Sequence, residues 1–145
     1  MKKFKAKKKG FFIFILVTGC IPFYFLFLNR GNLEKNWFDF TLSALPFLLL
    51  LWIYYTTSYW IEQQQLHYRS AFIKGKIDIA TITSIQVGKT LWVGLKPALA
   101  KKGIIIAYNS YDEIYLAPLD NEELVNELVK MNPNIVRSNP TNTKD

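Results

Sequence analysis

Side chains that could carry catalysis are few in this chain, and their spacing does not assemble a reactive centre. His67 is the only histidine, so a nucleophile activated by histidine would have to use this residue. Gly88-Lys89-Thr90 resembles the end of a phosphate-binding loop, but Thr83 stands where that motif requires its first glycine. Asp112 and Glu113 fall at a predicted hairpin turn, where solvated carboxylates are expected. An enzyme acting on lipid would therefore lack a nucleophile–base pair, and we predict that the protein is not an enzyme.

Ligands for a metal or a cofactor are also scarce. Cys20 is the only cysteine, which excludes a disulfide within the chain and a cysteine-rich zinc site. Asp120, Glu122 and Glu123 are explained by their positions at the start of a predicted helix, where carboxylates cap free backbone N–H groups. We therefore expect neither a metal nor an organic cofactor.

The stretch 88–102 is the strongest candidate for a binding contact. It combines Trp92 and several aliphatic side chains with a set of lysines. These lysines are Lys89, Lys96, Lys101 and Lys102. A basic loop with an aromatic residue can contact anionic lipid or a protein partner when it lies beside a membrane. The alternative is that Trp92 and Leu95 pack on a sheet and that the lysines are only solvated.

Two long apolar runs precede this loop and determine where the chain sits. Residues 11–28 contain no charged side chain, and as a helix they would be about 27 Å long at about 1.5 Å per residue. The second run covers residues 41–59. Pro22 and Pro46 lie inside the runs and should kink both helices. Residues 10–59 are therefore predicted to form a transmembrane hairpin.

Lysines cluster before the first run and predict the orientation of the hairpin. They are Lys2, Lys3, Lys5, Lys7, Lys8 and Lys9. The connecting loop 29–39 contains only two basic residues, so the positive-inside rule places it outside and both chain termini in the cytoplasm. Residues 1–9 are interpreted as a basic cytoplasmic tail that anchors the topology. An aromatic cluster that includes Tyr59 and Trp60 is predicted to mark the inner interface.

Two other interpretations of the first run concern processing. A cleaved secretory signal is disfavoured, because the run is long and no small-residue cleavage site follows it. A lipoprotein signal is suggested by Val17-Thr18-Gly19-Cys20, which resembles the motif before a lipidated cysteine. Residues 21–28 remain apolar, however, whereas a mature lipoprotein usually begins with a polar tether. Lipidation of Cys20 stays open, and it would leave the side of the following domain unchanged.

The charge distribution does not favour nucleic acid as a partner. Residues 1–58 have eight Lys/Arg and two Asp/Glu, for a net charge of +6, whereas residues 59–145 have ten and nine, for +1. The basic surplus therefore belongs to the membrane-proximal N-terminus. We expect the bilayer, and a membrane protein or peptide, as partners.

Residues 60–137 show period-two patterns followed by one helical pattern, which predicts a small α+β domain. The predicted strands cover residues 60–65, 66–72, 74–80, 83–87, 103–108 and 113–117. The helix is predicted at 120–131, with Asp120 as its N-cap and Glu123 at the capping-box position. The polar segment 138–145 is predicted to be disordered.

Several segments of this domain carry a family resemblance. They are Ile77-Asp78-Ile79, Ile82-Thr83-Ser84-Ile85, Ile114-Tyr115-Leu116-Ala117-Pro118, Asn132-Pro133-Asn134-Ile135 and the longer segment 98–108. In order and spacing they resemble the YyaB-like bacterial PH (pleckstrin-homology-like) domain. The resemblance implies that the two predicted N-terminal transmembrane helices are followed by a PH-like twisted antiparallel β-sheet capped by one C-terminal α-helix. It implies no catalytic centre.

The predicted function follows from this architecture. We expect a membrane-anchored, non-enzymatic PH-like module at the cytoplasmic face of a bacterial cell membrane, binding a protein or anionic lipid. Related proteins include a membrane-attached immunity protein, so the resemblance implies bacteriocin immunity as one version of this role. The alternative is a structural or accessory subunit of a membrane complex. In that case Gly19, Ser43 and Ala44 would permit close helix contacts.

Overall fold

The computed structural model describes residues 1–28, 37–91 and 94–138, and it contains two apolar helices, two four-stranded sheets and a C-terminal helix. In chain order the elements are β1 (Lys2–Lys5), α1 (Phe11–Leu28), α2 (Trp37–Thr56), β2 (Ser58–Glu62), β3 (Gln65–Ser70), β4 (Ile73–Asp78), β5 (Ile82–Val87), β6 (Ile104–Tyr108), β7 (Asp112–Leu116), α3 (Asn121–Met131) and β8 (Val136–Ser138). The predicted α+β class is confirmed. A short 3-10 turn at Ile79–Thr81 joins β4 to β5.

Helices α1 and α2 form an antiparallel pair with mostly exposed apolar side chains. By length and composition, both could cross a membrane. A Cβ atom at Gly19 would lie 3.0 Å from a ring carbon of Phe47, so the glycine allows the two helices to approach each other. The second helix ends at Thr56 rather than at residue 59 as predicted. It stops there because Ser58 already pairs with neighbouring strands.

The first sheet has the antiparallel order β1-β2-β3-β4. Its inner face is a continuous apolar layer, because alternate residues of each strand point to the same side. The buried members are Phe4, Tyr59, Ile61, Leu66, Tyr68 and Ile77. Tyr59 was predicted to lie at a membrane interface, and that prediction is wrong, since the side chain is 0% exposed inside the domain.

Strand β1 was not expected, because residues 1–9 had been interpreted as a tail. Lys2 to Lys5 instead pair antiparallel with β2, with Phe4 opposite Tyr59 and Lys5 opposite Ser58. The physical reason is that Phe4 and Ala6 bury their side chains in the core at 4% and 6% exposure. The N-terminal segment therefore completes the sheet. Whether its lysines also set the topology stays a prediction.

The second sheet has the order β7-β6-β5-β8, in which the short β8 lies parallel to β5. The N-terminal segment connects it to the first sheet. The Lys7 amide donates a hydrogen bond to the Ala117 carbonyl at 2.7 Å, and the Leu119 amide donates to the Lys5 carbonyl at 2.7 Å. Residues 5–7 thus join β1 to the chain that leaves β7, and the two sheets enclose one core.

Helix α3 covers this core at one end. The Asp120 carboxylate accepts hydrogen bonds from the Glu122 and Glu123 amides, which confirms the predicted N-cap. Leu124, Val125 and Leu128 are fully buried. Ser138, the first residue of the segment predicted to be disordered, belongs to β8, and the rest of that segment lies outside the described residues.

Tyr59 links the first sheet to the long loop between β5 and β6. Its hydroxyl donates to the Pro97 carbonyl at 2.7 Å and accepts from the Ala117 amide at 3.3 Å. Burial raises the pKa of this phenol well above its ordinary value. The neutral phenol is therefore strongly favoured in the folded state.

The N-terminal strand can be tested with a Phe4→Ala substitution. Because Phe4 is a core side chain, we expect the free energy of unfolding to fall by about 3–5 kcal/mol. Urea unfolding of the full chain in mild detergent, followed by tryptophan fluorescence, measures the change. Lys3→Ala, in the same strand but pointing outward, is the control and should change stability by less than about 0.5 kcal/mol. Equal and small effects of both substitutions would show that residues 1–9 are a free tail.

The Tyr59 link can be tested with Tyr59→Phe, which removes one hydroxyl and leaves two buried backbone groups without their partner. We expect a loss of about 1–3 kcal/mol in the same unfolding measurement. Tyr111→Phe is the matched control, since Tyr111 is 98% exposed. The raised pKa also predicts that the contribution of Tyr59 is complete below its unfolded pKa of about 10 and is lost at higher pH. If Tyr59→Phe unfolds like Tyr111→Phe, the hydroxyl does not stabilise the fold.

Candidate functional site

The junction between the helices and the first sheet defines the geometry of the site. Strand β1 precedes α1 and strand β2 follows α2, and these two strands pair with each other. The helical hairpin is therefore an insertion between the first two strands of the domain. If α1 and α2 cross a bilayer, residues 1–9 and residues 57–138 must lie on the same side of it.

Direct contacts attach the domain to the end of α2. The Thr57 and Ser70 hydroxyl oxygens lie 2.8 Å apart, and the Ala71 amide donates to the Thr56 hydroxyl at 2.9 Å. The rings of Trp52 and Phe72 meet edge to face, with their centroids 4.4 Å apart. The turn between β3 and β4 therefore lies beside the last turn of α2, so that one end of the first sheet is held against the helices.

Cations dominate the outer face of the first sheet near this junction. We call this surface the basic face, and it consists of Lys3, Lys5, Arg69, Lys74 and Lys76. All five side chains are exposed, because the inner positions of the same strands contain the core residues. The strand register brings them together across the sheet although they come from distant parts of the sequence.

The register arranges the basic face in two rows. Lys5, Ser58, Arg69 and Lys74 lie side by side in the row next to the helices. Lys3, Trp60, His67 and Lys76 form the next row in the same way. Adjacent strands are about 4.8 Å apart, so each row is a continuous band of side chains. Carboxylates appear only in the third row, where Glu62 lies opposite Gln65, and Gln65 opposite Asp78.

An open groove lies along this face. It has a volume of about 950 Å³, and its charged lining consists of the cations Lys3, Lys5, Lys8 and Arg69 and one carboxylate, Glu62. Trp60 also lines it and stacks on His67, with ring centroids 5.1 Å apart and planes 9° apart. His67 therefore lies on the outer face of its strand. The groove offers cationic donors together with an aromatic wall.

The N-terminal lysines are distributed over several surfaces. Lys2 forms ion pairs with Glu127 at 3.1 Å and Glu123 at 3.4 Å on α3, and these carboxylates raise the pKa of Lys2. The Lys8 ammonium lies 4.2 Å from the centroid of the Tyr54 ring in α2. Lys3 and Lys5 belong to the basic face, which was not predicted from the sequence. The alternation Lys3-Phe4-Lys5-Ala6 is the signal that could have revealed a strand here.

The described residues of the loop 88–103, which are 88–91 and 94–103, pack on the outer side of the second sheet. The Gly88 amide donates to the Gly103 carbonyl at 2.8 Å and closes its ends, and the Tyr115 hydroxyl donates to the Ala100 carbonyl at 2.8 Å. Leu91, Ala98 and Ala100 pack on the buried Ile105, Tyr115 and Ala117. These side chains therefore pack the loop on the sheet. Leu95, which was considered for this packing role, is 37% exposed.

The lysines predicted as contact residues occupy different parts of this loop. Lys89, Lys101 and Lys102 are exposed near its closed ends, where the Lys102 amide donates to the Thr90 hydroxyl at 3.0 Å. The Lys96 ammonium lies 5.3 Å from the centroid of the Tyr115 ring. Trp92 lies outside the described residues. A role for this loop in binding stays a prediction.

The described residues do not assemble a reactive or metal-binding centre. Asp112 accepts a hydrogen bond from the Asn109 amide at 2.9 Å in the β6–β7 turn, which is a structural role. Across residues 1–28, 37–91 and 94–138, no group of three or more His, Cys, Asp and Glu side chains could hold a metal ion. Cys20 is exposed on α1. The arrangement is suited to binding through charge and hydrogen bonds.

Comparison with known proteins identifies the domain. A family described as "Bacterial PH domain" matches residues 57–132. This segment begins immediately before β2 and ends just after α3, so β1 and the two apolar helices precede it. No curated protein and no solved structure gives a significant match. The two sheets and the C-terminal helix agree with the family match, and the chain therefore belongs to the bacterial PH domain family.

Proposed function

We propose that this protein is a membrane-anchored, non-enzymatic PH domain that binds a lipid or protein ligand at the cytoplasmic face of a bacterial cell membrane. The observation that carries the proposal is the insertion of the helical hairpin between β1 and β2. The domain cannot form its first sheet unless both ends of the hairpin return to it. Anchoring and folding are thus coupled.

The surface of the helices supports the anchor. In α2 no residue is buried, and in α1 the buried residues are Ile15, Gly19 and Pro22. Most of the apolar side chains of the pair therefore face outward, as expected where lipid replaces a protein core. A soluble protein that exposed this much contiguous apolar surface would be prone to aggregation.

The lysines support the cytoplasmic side. Six of them precede α1, and the pairing of β1 with β2 keeps them beside the rest of the domain. Clusters of Lys and Arg that flank a first membrane span are retained in the cytoplasm. The same charges therefore favour a cytoplasmic position for the whole domain.

Labelling of single cysteines tests the anchor and its orientation. In a Cys20→Ser background, Tyr111→Cys reports on the domain and Trp37→Cys on the opposite end of the hairpin. We expect a membrane-impermeant maleimide to label Trp37→Cys in spheroplasts, and to label Tyr111→Cys only after permeabilisation. Labelling of Tyr111→Cys in intact spheroplasts would place the domain outside. Release of the protein by alkaline carbonate would refute the anchor itself.

Immunity against a membrane-active peptide is the most specific version of this function, and it depends on the YyaB-like resemblance. Expression in a bacteriocin-sensitive strain should then raise the peptide concentration that stops growth, relative to a strain with vector alone. Phe4→Ala, which damages the domain but leaves the helices intact, should reduce that protection. Unchanged sensitivity across a panel of peptides, with the protein present in membranes, would contradict this version.

The alternative is an accessory subunit of a membrane complex. Gly19 contacts Phe47 within the hairpin, so its small size already serves the packing of α1 on α2. Ser43 and Ala44 are half-buried in the described helices. A subunit role would therefore use other apolar positions, and it predicts that a membrane protein copurifies in fixed proportion.

A further inference from the structure

We propose that the basic face binds the phosphate-containing headgroups of anionic phospholipids in the same bilayer that holds α1 and α2. This inference rests on the proposed membrane anchor, and it names the ligand and the surface that receives it. Four properties of the face support the proposal. They are the absence of ion pairs to its cations among the described residues, the change in the sign of the charge along the strands, the short distance from the helices and the groove.

Among the described residues, no ion pair neutralises the charge of the basic face. Over residues 1–28, 37–91 and 94–138, no carboxylate lies within 4.0 Å of the side-chain nitrogens of Lys3, Lys5, Arg69, Lys74 or Lys76. Lys2, which points elsewhere, is by contrast paired with Glu123 and Glu127. Five adjacent cations repel one another, so an anionic ligand would stabilise this arrangement.

The charge also changes sign along the strands. The two rows nearer the helices have only cationic and neutral side chains, whereas Glu62 and Asp78 occupy the third row. The positive part of the face is thus the part beside the hairpin. An anionic membrane surface would attract these two rows and would repel the third, which fits a domain that stands upright on its helices.

The distance from the helices places the first row at headgroup depth. Ser58 is two residues after Thr56, so at about 3.4 Å per residue this row lies within about 7 Å of the helix end. The second row is within about 14 Å. The headgroup layer is about 5–7 Å thick on each side of a bilayer, and the Debye length adds about 8 Å. Contact of the β3–β4 turn with Trp52 holds the other end of the first row at the same level.

The groove supplies suitable chemistry for a phosphodiester. Arg69 can donate two parallel hydrogen bonds to phosphate oxygens, and lysines contribute point charges. Lys8 lies at the helix end of the groove through its contact with Tyr54. An acidic protein would need to enter the headgroup layer to reach the same side chains, which is why lipid is the favoured occupant.

Lipid binding to the purified full chain tests the proposal. Native mass spectrometry in mild detergent would compare phosphatidylglycerol with phosphatidylcholine of the same acyl chains. The variant combines Lys3→Gln, Arg69→Gln and Lys74→Gln. The matched control combines Lys89→Gln, Lys101→Gln and Lys102→Gln, which removes the same charge from the loop 88–103. Urea unfolding shows whether each variant is folded.

We expect the unmodified chain to prefer phosphatidylglycerol at least about 10-fold. The variant of the basic face should weaken phosphatidylglycerol binding by about 100-fold, at about 5-fold for each cation lost, and should bind phosphatidylcholine as before. The loop variant should stay within about 3-fold of the unmodified chain. If the triple variant does not fold, Lys74→Gln alone, at the edge of the sheet, should still weaken binding about 5-fold.

Three outcomes would overturn the proposal. Loss of binding in the loop variant alone would make the loop 88–103 the lipid contact. Equal binding of both lipids by the unmodified chain would assign the basic face to another ligand, such as an acidic protein. Retained preference in a folded variant of the basic face would show that these cations do not bind the headgroup. Carbonate extraction of the same proteins tests the anchor separately, so failure of the lipid site and failure of the anchor are distinguishable.

Discussion

The pairing of β1 with β2 is the constraint on which the rest of the structure depends. It joins a strand that precedes α1 to a strand that follows α2, with Lys5 opposite Ser58. Because backbone hydrogen bonds in a sheet require fixed register, the two ends of the hairpin are held side by side. The same strand pairing therefore completes the first sheet and fixes the two helix ends next to each other.

The same pairing explains why one short lysine-rich segment contributes side chains to the core, to the basic face and to the ion pairs with α3. Successive side chains of a strand point to opposite faces, so Phe4 enters the core while Lys3 and Lys5 extend the basic face. Lys2 lies at the start of the strand and reaches the carboxylates of α3. The segment then continues into hydrogen bonds with residues 117–119, which join the two sheets. The charge of the basic face and the closure of the core thus come from neighbouring residues.

Much of the domain could be predicted from local patterns. The N-cap Asp120 and the helix that follows it were predicted correctly, because both depend on residues within one or two turns. The two strands of the β6–β7 hairpin were likewise predicted, from a run of β-branched residues that is followed by a turn sequence. Strand β1 was not predicted, and Tyr59 was wrongly placed at a membrane interface. Both errors arose because the lysine cluster and the apolar run, which are local signals, do not show which side chains a distant part of the chain will bury. The basic face was missed because its members are separated by up to 73 positions in the chain.

By itself, the sequence determined that the chain has two apolar helices with a basic flank, a small α+β domain and no evident set of catalytic or metal-binding side chains. These properties follow from composition and short-range periodicity. Only the tertiary structure decided that the hairpin is inserted within the domain, that the first lysines form a strand, and that cations from β1, β3 and β4 share one face. The physical reason is that strand register depends on which alternate side chains are buried together, and these side chains come from distant parts of the chain. Phe4 and Tyr59, which are paired across β1 and β2 and are both buried, are the main example.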